Sequence, residues 1–337
     1  MAQPFEAVLF VAFGGPQGLA DVQPFLQNVL RGRRVSPERV EEVAHHYERF
    51  GGVSPLTELT MKQAAALESR LRERGLDLPV RVGMRNWHPY LPDTMAALSR
   101  AGVRRAIGVV ASAQRSYSGC LQYRENVREA GVALASGGLA DVSVTYVSDW
   151  HQHPGFIAAH VDRIRAAFDR LPPNARADAR LVFTAHSIPK SMAAEYPYEG
   201  QLVESATLVL DALSSSPASV MPCIPCTPWP TIIYQSRSGR PGDPWLEPDI
   251  GEYLRAEHAR GLRALVVCPI GFLCDHVEVL YDLDVEAAET ARELGIDFAR
   301  AESVNAHPHF IDALADAVFS VWARYRSGRA LPIVSGR

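Results

Sequence analysis

The chain has 337 residues, 47% of them hydrophobic and 21% charged, with a formal net charge of −4. That length suits two domains of ordinary size or one large α/β unit, and the balance is that of a globular protein. The charge gives no electrostatic footprint for nucleic acid, and no stretch approaches the ~18 apolar residues that a membrane helix needs. In chain order, 7–13 (AVLFVAF) lacks the basic start of a signal peptide and reads as a buried strand. Further strands are predicted at 79–83, 106–112 and 142–148, then at 181–185, 231–235, 264–269 and 296–300. Amphipathic helical stretches lie between them, near 18–30, 37–49, 57–75, 91–101, 121–135, 154–171, 199–215, 249–260 and 275–294. Such alternation predicts an α/β fold with parallel sheets covered on both faces. Two groups of four strands suggest two similar halves, 1–150 and 151–307, with a last helix over 308–326 packing back on the first. The Pro-rich stretches 217–230 and 241–248 read as loops.

Along the same path, several residues could carry chemistry. Gly14-Gly15-Pro16 is not a phosphate loop, since neither a third Gly nor Gly-Lys-Ser/Thr follows. Arg31-Gly32-Arg33-Arg34 ends the first helix, where basic groups either complement the helix dipole or clamp a carboxylate. Ser54, after Gly51-Gly52-Val53, can cap the next helix or hold an anion at its N-terminus. Residues 116–123 (SYSGCLQY) put hydroxyls and the Tyr123 ring at a strand tip. His186 stands at the tip of strand 181–185, on the edge where open α/β sheets bind ligands. Ser187 beside it makes no hydrolase, because no GxSxG surrounds any serine. Cys223 and Cys226 form a CxxC, half of a zinc or iron–sulfur site with no second half. Five unevenly spread cysteines make no disulfide framework. Gln235-Ser236-Arg237-Ser238-Gly239 and Pro244-Trp245-Leu246-Glu247-Pro248 follow another strand, and aromatic residues near these tips suit a flat, aromatic ligand.

The stretch 264–294 organises the rest. At ~100° per residue, Glu278, Asp282, Glu286, Glu289 and Glu293 fall within about 80° of arc, opposite Leu280, Leu283, Ala287, Ala291 and Leu294. An acidic stripe is ordinarily a solvated face. Here the first acids follow a buried strand, at the edge that also carries His186. Imidazole and carboxylate together suit a borderline cation such as Fe²⁺, and either could remove a proton. Glu278 and Glu286, about 12 Å apart at 1.5 Å per residue, would bound a ladder that passes a cation along.

These motifs resemble ferrochelatases, most closely the bacterial coproporphyrin III ferrochelatases, over nearly the whole chain. The resemblance rests on Gly14-Gly15-Pro16, the Arg-Gly-Arg loop, the Gly-Gly-Val-Ser54-Pro-Leu turn and the Tyr123 and His186 segments. It rests above all on Gly271-Phe-Leu-Cys-Asp-His-Val-Glu278-Val-Leu-Tyr-Asp282-Leu-Asp284. It implies two Rossmann-like, chelatase-type domains with the cleft between them, and insertion of Fe²⁺ into coproporphyrin III in haem biosynthesis. It implies that His186 and Glu278 face each other across the porphyrin and handle metal and pyrrole protons. Asp282 and Glu286 would form an outer metal site, while Ser54 and Tyr123 would contact the tetrapyrrole. Arg31 and Arg33 are the substrate-clamp candidates. No cofactor beyond the substrate Fe²⁺ is expected. The cysteines that hold a [2Fe–2S] cluster near the C-terminus of some members have no counterpart in 275–337, so no such cluster is expected. Phe13 stands where some members carry a Tyr that reaches the iron. The expectation is a cytoplasmic monomer without a membrane segment, making at most transient contact with other haem-synthesis enzymes. Rival readings are a protoporphyrin IX chelatase, a chelatase for Co²⁺ or Ni²⁺, and a porphyrin carrier without chemistry.

Overall fold

Every residue of Ala7–Ala12 is buried, and these residues form β1. A strand apolar on both faces needs cover above and below, which βαβ crossovers supply. The computed structural model describes residues 3–32, 35–215, 229–238 and 242–327; Arg33, Cys223 and Cys226 lie outside these. With β2 (Val80–Met84), β3 (Arg105–Val110) and β4 (Ser143–Tyr146), β1 makes a parallel sheet of order β2-β1-β3-β4. A second parallel sheet joins β5 (Arg180–His186), β6 (Ile232–Gln235), β7 (Ala264–Cys268) and β8 (Asp297–Arg300) in the order β6-β5-β7-β8. The eight expected strands form with slightly different ends. Both sheets share one winding, so each reverses direction at the same place: between β1 and β3, and between β5 and β7. Those reversals open crevices beyond the strand ends.

The first half carries α1 (Leu19–Val29), α2 (Pro37–Arg49), α3 (Pro55–Glu73), α4 (Leu91–Arg100) and α5 (Gln122–Ser136). Then come α6 (Pro154–Phe168), α7 (Lys190–Glu195), α8 (Tyr198–Ser214) and α9 (Ile250–Ala259). α7 was not expected, since six residues are too few to show a helical period. The acidic helix is built in three parts: α10 (Val277–Val279), a wide-turned π segment (Leu280–Ala287) and α11 (Ala288–Leu294). A second π segment, Tyr117–Leu121, leads into α5.

The π turn corrects one detail of the wheel. Val279, Leu283, Ala287 and Ala291 are buried, at 1% exposure or less, whereas Leu280, expected on the apolar side, is only half-buried. Four-residue steps drift around an ordinary 3.6-residue turn, and a wider turn counteracts that drift. The same widening keeps Glu278, Asp282 and Glu286 on one side.

α12 (Pro308–Arg326) packs on both α6 and α3. Arg74, the residue that caps the end of α3, pairs with Asp312 at 2.7 Å and with Asp316 at 2.5 Å, and the Tyr325 ring meets Phe5 at 4.9 Å. Beneath, one apolar core runs through both sheets. Phe5 and Phe10 belong to it, as do Phe156, Phe183 and Phe310.

Candidate active site

β5 delivers His186 at its last residue, and β7 runs through the loop 269–276 into α10, so the two strands end side by side at the second crevice. Gly271 makes the approach possible. A Cβ there would stand 2.6 Å from the Ala185 Cβ, and the Gly271 N–H donates to the Thr184 carbonyl at 3.1 Å. The turn therefore lies directly on the tip of β5. It places the Phe272 ring 6.4 Å from His186 and 5.3 Å from His276.

His186 Nε2 comes within 3.7 Å of Glu278 Oε2, and both side chains remain partly open to solvent. The other imidazole nitrogen, Nδ1, lies 2.5 Å from the Ser187 carbonyl, which fixes Nδ1 as the protonated nitrogen and leaves Nε2 aimed at Glu278. Below, the buried Tyr198 hydroxyl donates to the His186 carbonyl at 3.0 Å. His276 caps α10 by accepting from the Glu278 N–H at 3.2 Å. Burial depresses its pKa, with Glu278 pulling the other way and His186 adding to the drop. His276 is thus a neutral cap.

One turn on, Asp282 is only 9% exposed. Ser236, held at φ 60, donates to its Oδ2, as does Gln235 Nε2 at 3.4 Å. Burial lifts its carboxyl to about 7; the Ser236 bond opposes the rise and the charges of Glu278 and Glu286 add to it. Glu286 lies farther out on the helix. Desolvation and the nearby acids Asp249 and Glu42 raise its pKa too, against the Arg39 charge. The row is therefore uneven: Glu278 is partly open beside an imidazole, Asp282 is buried and holds its proton near neutrality, and Glu286 beyond it is exposed. A divalent cation beside Asp282 would relieve its crowding by Glu278 and Glu286.

The first half closes over this row. The His46 ring of α2 stacks on Tyr281 at 3.6 Å, and Tyr47 packs with Val277, Phe25 and Trp87. Tyr123 is buried at 6% exposure with the Arg85 guanidinium 4.9 Å from its ring centre. Burial raises its phenol, Arg85 opposes, and Glu278 adds to the rise, so Tyr123 and Glu278 share one field. Phe13 is half-buried, 6.3 Å from Phe25 and 5.9 Å below Arg85. Ser54 is 2% exposed: its hydroxyl caps α3 by accepting from Leu56 N–H at 3.4 Å. Arg31 is exposed at the end of α1 and donates to Asn28 Oδ1 at 2.8 Å.

The structure thus pairs His186 with Glu278, sets Asp282 in the field of Glu278 and Glu286 and Tyr123 in that of Glu278, and leaves Ser54 in a cap and Arg31 at the surface; among the described residues no three His, Cys, Asp or Glu side chains converge on one ion. Sequence reasoning missed Arg85, His46, Tyr47 and Tyr198. Only Tyr47 and His46 gave a signal, lying just before the Gly51-Gly52 turn. Gln235 and Ser236 were noted as strand-tip residues without a task.

A sequence model of ferrochelatases matches residues 5–321. The chain belongs to the ferrochelatase family. Coproporphyrin III ferrochelatase of Streptomyces griseus is 44% identical over 338 residues, covering 97% of this chain and 88% of that protein. A ferrochelatase of Rhodopirellula baltica is 44% identical over 316 residues, covering 94% of this chain and 86% of its own. Among solved structures, SirB from Bacillus subtilis with Fe³⁺ superposes with a TM-score of 0.57 at 12% identity, over 96% of this chain and 98% of that one. That likeness concerns the fold: two parallel α/β sheets flanked by helices are the arrangement of this ferrochelatase-family chain as well. No helix among the described residues is long and apolar enough to cross a membrane.

Proposed function

We propose that this protein inserts Fe²⁺ into coproporphyrin III to give Fe-coproporphyrin III and two protons, as a metal-inserting lyase of haem synthesis. The carrying observation is the His186–Glu278 pair, 3.7 Å apart at the strand reversal of the second sheet. The cleft is that between halves 1–150 and 151–307, into which the tips of both sheets open. In this reading the two groups act on the macrocycle centre. Two pyrrole N–H groups must lose protons, and His186 Nε2, with Nδ1 already committed, is the free acceptor. Glu278 opposite holds the incoming cation or takes the second proton. Fe²⁺ reaches the pair along Glu286 and Asp282, exchanging water for carboxylate oxygen stepwise. Tyr123 with Arg85 walls the cleft, and Arg31 and Arg33 are assigned to the carboxylates of the substrate. The protein works without a resident cofactor, as a cytoplasmic monomer that meets other haem-synthesis enzymes transiently. Coproporphyrin is favoured over protoporphyrin because relatives at 42–45% identity bear its name.

The test is anaerobic incubation with Fe²⁺ and either porphyrin, followed by loss of porphyrin fluorescence. Quenching should be faster with coproporphyrin III. Preference for protoporphyrin IX would overturn the substrate and keep the chemistry. In Glu278→Gln, turnover should fall by about a hundredfold or more while porphyrin still binds. Tight binding without insertion in the unmodified protein would make it a carrier.

A further inference from the structure

A second polar cavity lies in the first sheet, away from the His186 crevice, at the carboxyl ends of β3 and β4. It holds about 30 Å³ and is lined by Gly108, Ser112, Gln114, Arg115, Arg124 and Tyr146, among others. Its floor exists because residue 108 has no side chain. A Cβ there would stand 2.7 Å from the Tyr146 ring and from the Val144 side chain. A glycine inside an otherwise apolar buried strand weakens it, and commonly marks close approach of a ligand or another group. Here it lets the Tyr146 ring lie across β3.

The walls are donors without acceptors. Gln114 is 3% exposed, and its Nε2 has no hydrogen-bond partner. The Tyr146 hydroxyl and the Arg124 Nε are likewise buried and unpaired. The Arg124 guanidinium lies 4.6 Å over the Tyr146 ring, and among the described residues it forms no ion pair. Burial pushes the Tyr146 phenol up to about 12, against Arg124, so the hydroxyl stays a donor at every working pH. The one acid at the rim, Asp149, is engaged by Gln201 Nε2 at 3.4 Å and Arg115 Nη1 at 3.6 Å. Ser112 is spoken for as well, donating to the Gln114 carbonyl at 3.0 Å. A buried unpaired donor costs stability, and two such donors beside the Arg124 cation, itself unpaired at Nε, call for an anionic acceptor.

We infer that this cavity is a binding site for a small carboxylate, held by Arg124, Tyr146 and Gln114. Size sets the class. A water needs roughly 10–15 Å³ of such space, so the cavity takes about two oxygen-sized groups, as in a carboxylate head, and is small for a tetrahedral phosphate. The carboxylate arrives either as a free small acid or as a side arm of a larger ligand.

Formate is the probe, titrated into the full chain by calorimetry at constant ionic strength, with chloride and phosphate as controls. Formate should bind saturably, and phosphate should do no more than chloride. Tyr146→Phe, which keeps the ring, and Gln114→Met, which keeps the volume, should each weaken formate binding about tenfold or more. Circular dichroism in chloride should leave both variants folded. A formate response no larger than that of chloride, or one equal in both variants, overturns the site. Repeating the titration with saturating coproporphyrin III separates the sources. Loss of the formate response would assign the cavity to a side arm of the tetrapyrrole, and an unchanged response would assign it to a free acid; both results support the site.

Discussion

Asp282 is the site carboxyl whose environment departs farthest from its ordinary chemistry. Its carboxyl is raised from 3.8 to about 7, first by burial, then against Ser236 and with Glu278 and Glu286. The folded state therefore binds this proton more tightly than the unfolded chain. Between about pH 4 and pH 7 the unfolded chain has released it and the folded one has not, so stability contributed by the site falls as pH rises. Above 7 the loss is complete and constant, on the order of a few kcal/mol. Asn at this position resembles the protonated acid. Asp282→Asn should accordingly melt higher than the parent protein at pH 8, and the difference should shrink to nothing below about pH 4. Thermal melts across that range check it; equal melting temperatures at pH 8 would mean that Asp282 is ionised without cost. A divalent cation added at pH 8 should narrow the gap, because it stabilises only the carboxylate.

The acidic helix holds its shape through a clamp on its far side. Arg300, at the end of β8, pairs with Asp275 at 2.7 Å and with both oxygens of Asp284 at 2.6 and 2.8 Å. Asp275 also accepts from Ser303 N–H at 3.0 Å and Asn305 Nδ2 at 2.8 Å. Burial works against the Asp275 carboxylate, but Arg300 and these donors hold its pKa below the usual range. One guanidinium thus pins both the turn before Glu278 and the π segment after it. Removing one partner of a buried pair strands the other, so Arg300→Met should cost about 3–5 kcal/mol. Urea midpoints measure it, and adding Asp275→Asn to the variant should recover part of the loss. If Arg300→Met proves neutral, the clamp is ornamental. None of this was legible in the sequence, because Asp275, Asp284 and Arg300 have no fixed spacing until β8 pairs with β7. By contrast, the acids at 278, 282 and 286 were legible, since four-residue spacing survives translation into any helix. Their unequal burial was not, because Gln235 and Ser236 reach Asp282 across 46 residues or more. The strands were read easily from their apolar runs. Their order, and with it the matched reversals of the two sheets, depends on crossovers that composition does not reveal.

Two sheets of the same winding invite the view of two folding units, yet the interior joins them. Phe5 and Phe10 share one apolar cluster with Phe156, Phe183 and Phe310, each 1% exposed or less. α12 lies across both parts, tied to α3 through Arg74 and packed on α6. Gln63 of α3 is fully buried, and its amide donates to the Leu273 carbonyl at 3.1 Å and the Asn305 carbonyl at 2.8 Å, both in the second half. Chains of this length commonly unfold through intermediates, each domain with its own core melting separately. A shared core removes that option, since opening either sheet exposes apolar surface of the other. Urea unfolding followed by far-UV circular dichroism and by tryptophan fluorescence should therefore give one coincident transition. Trp87 and Trp245, buried in opposite halves, make the fluorescence sensitive to both. Gln63→Met should shift that transition down by about 1–3 kcal/mol, the cost of leaving buried carbonyls unpaired, without splitting it. Each sheet also has an apolar cluster of its own on its other face, and a biphasic curve in the parent protein would show that these outweigh the shared one. A split in Gln63→Met alone would show that the amide bridge, rather than the shared phenylalanines, couples the halves around the cleft.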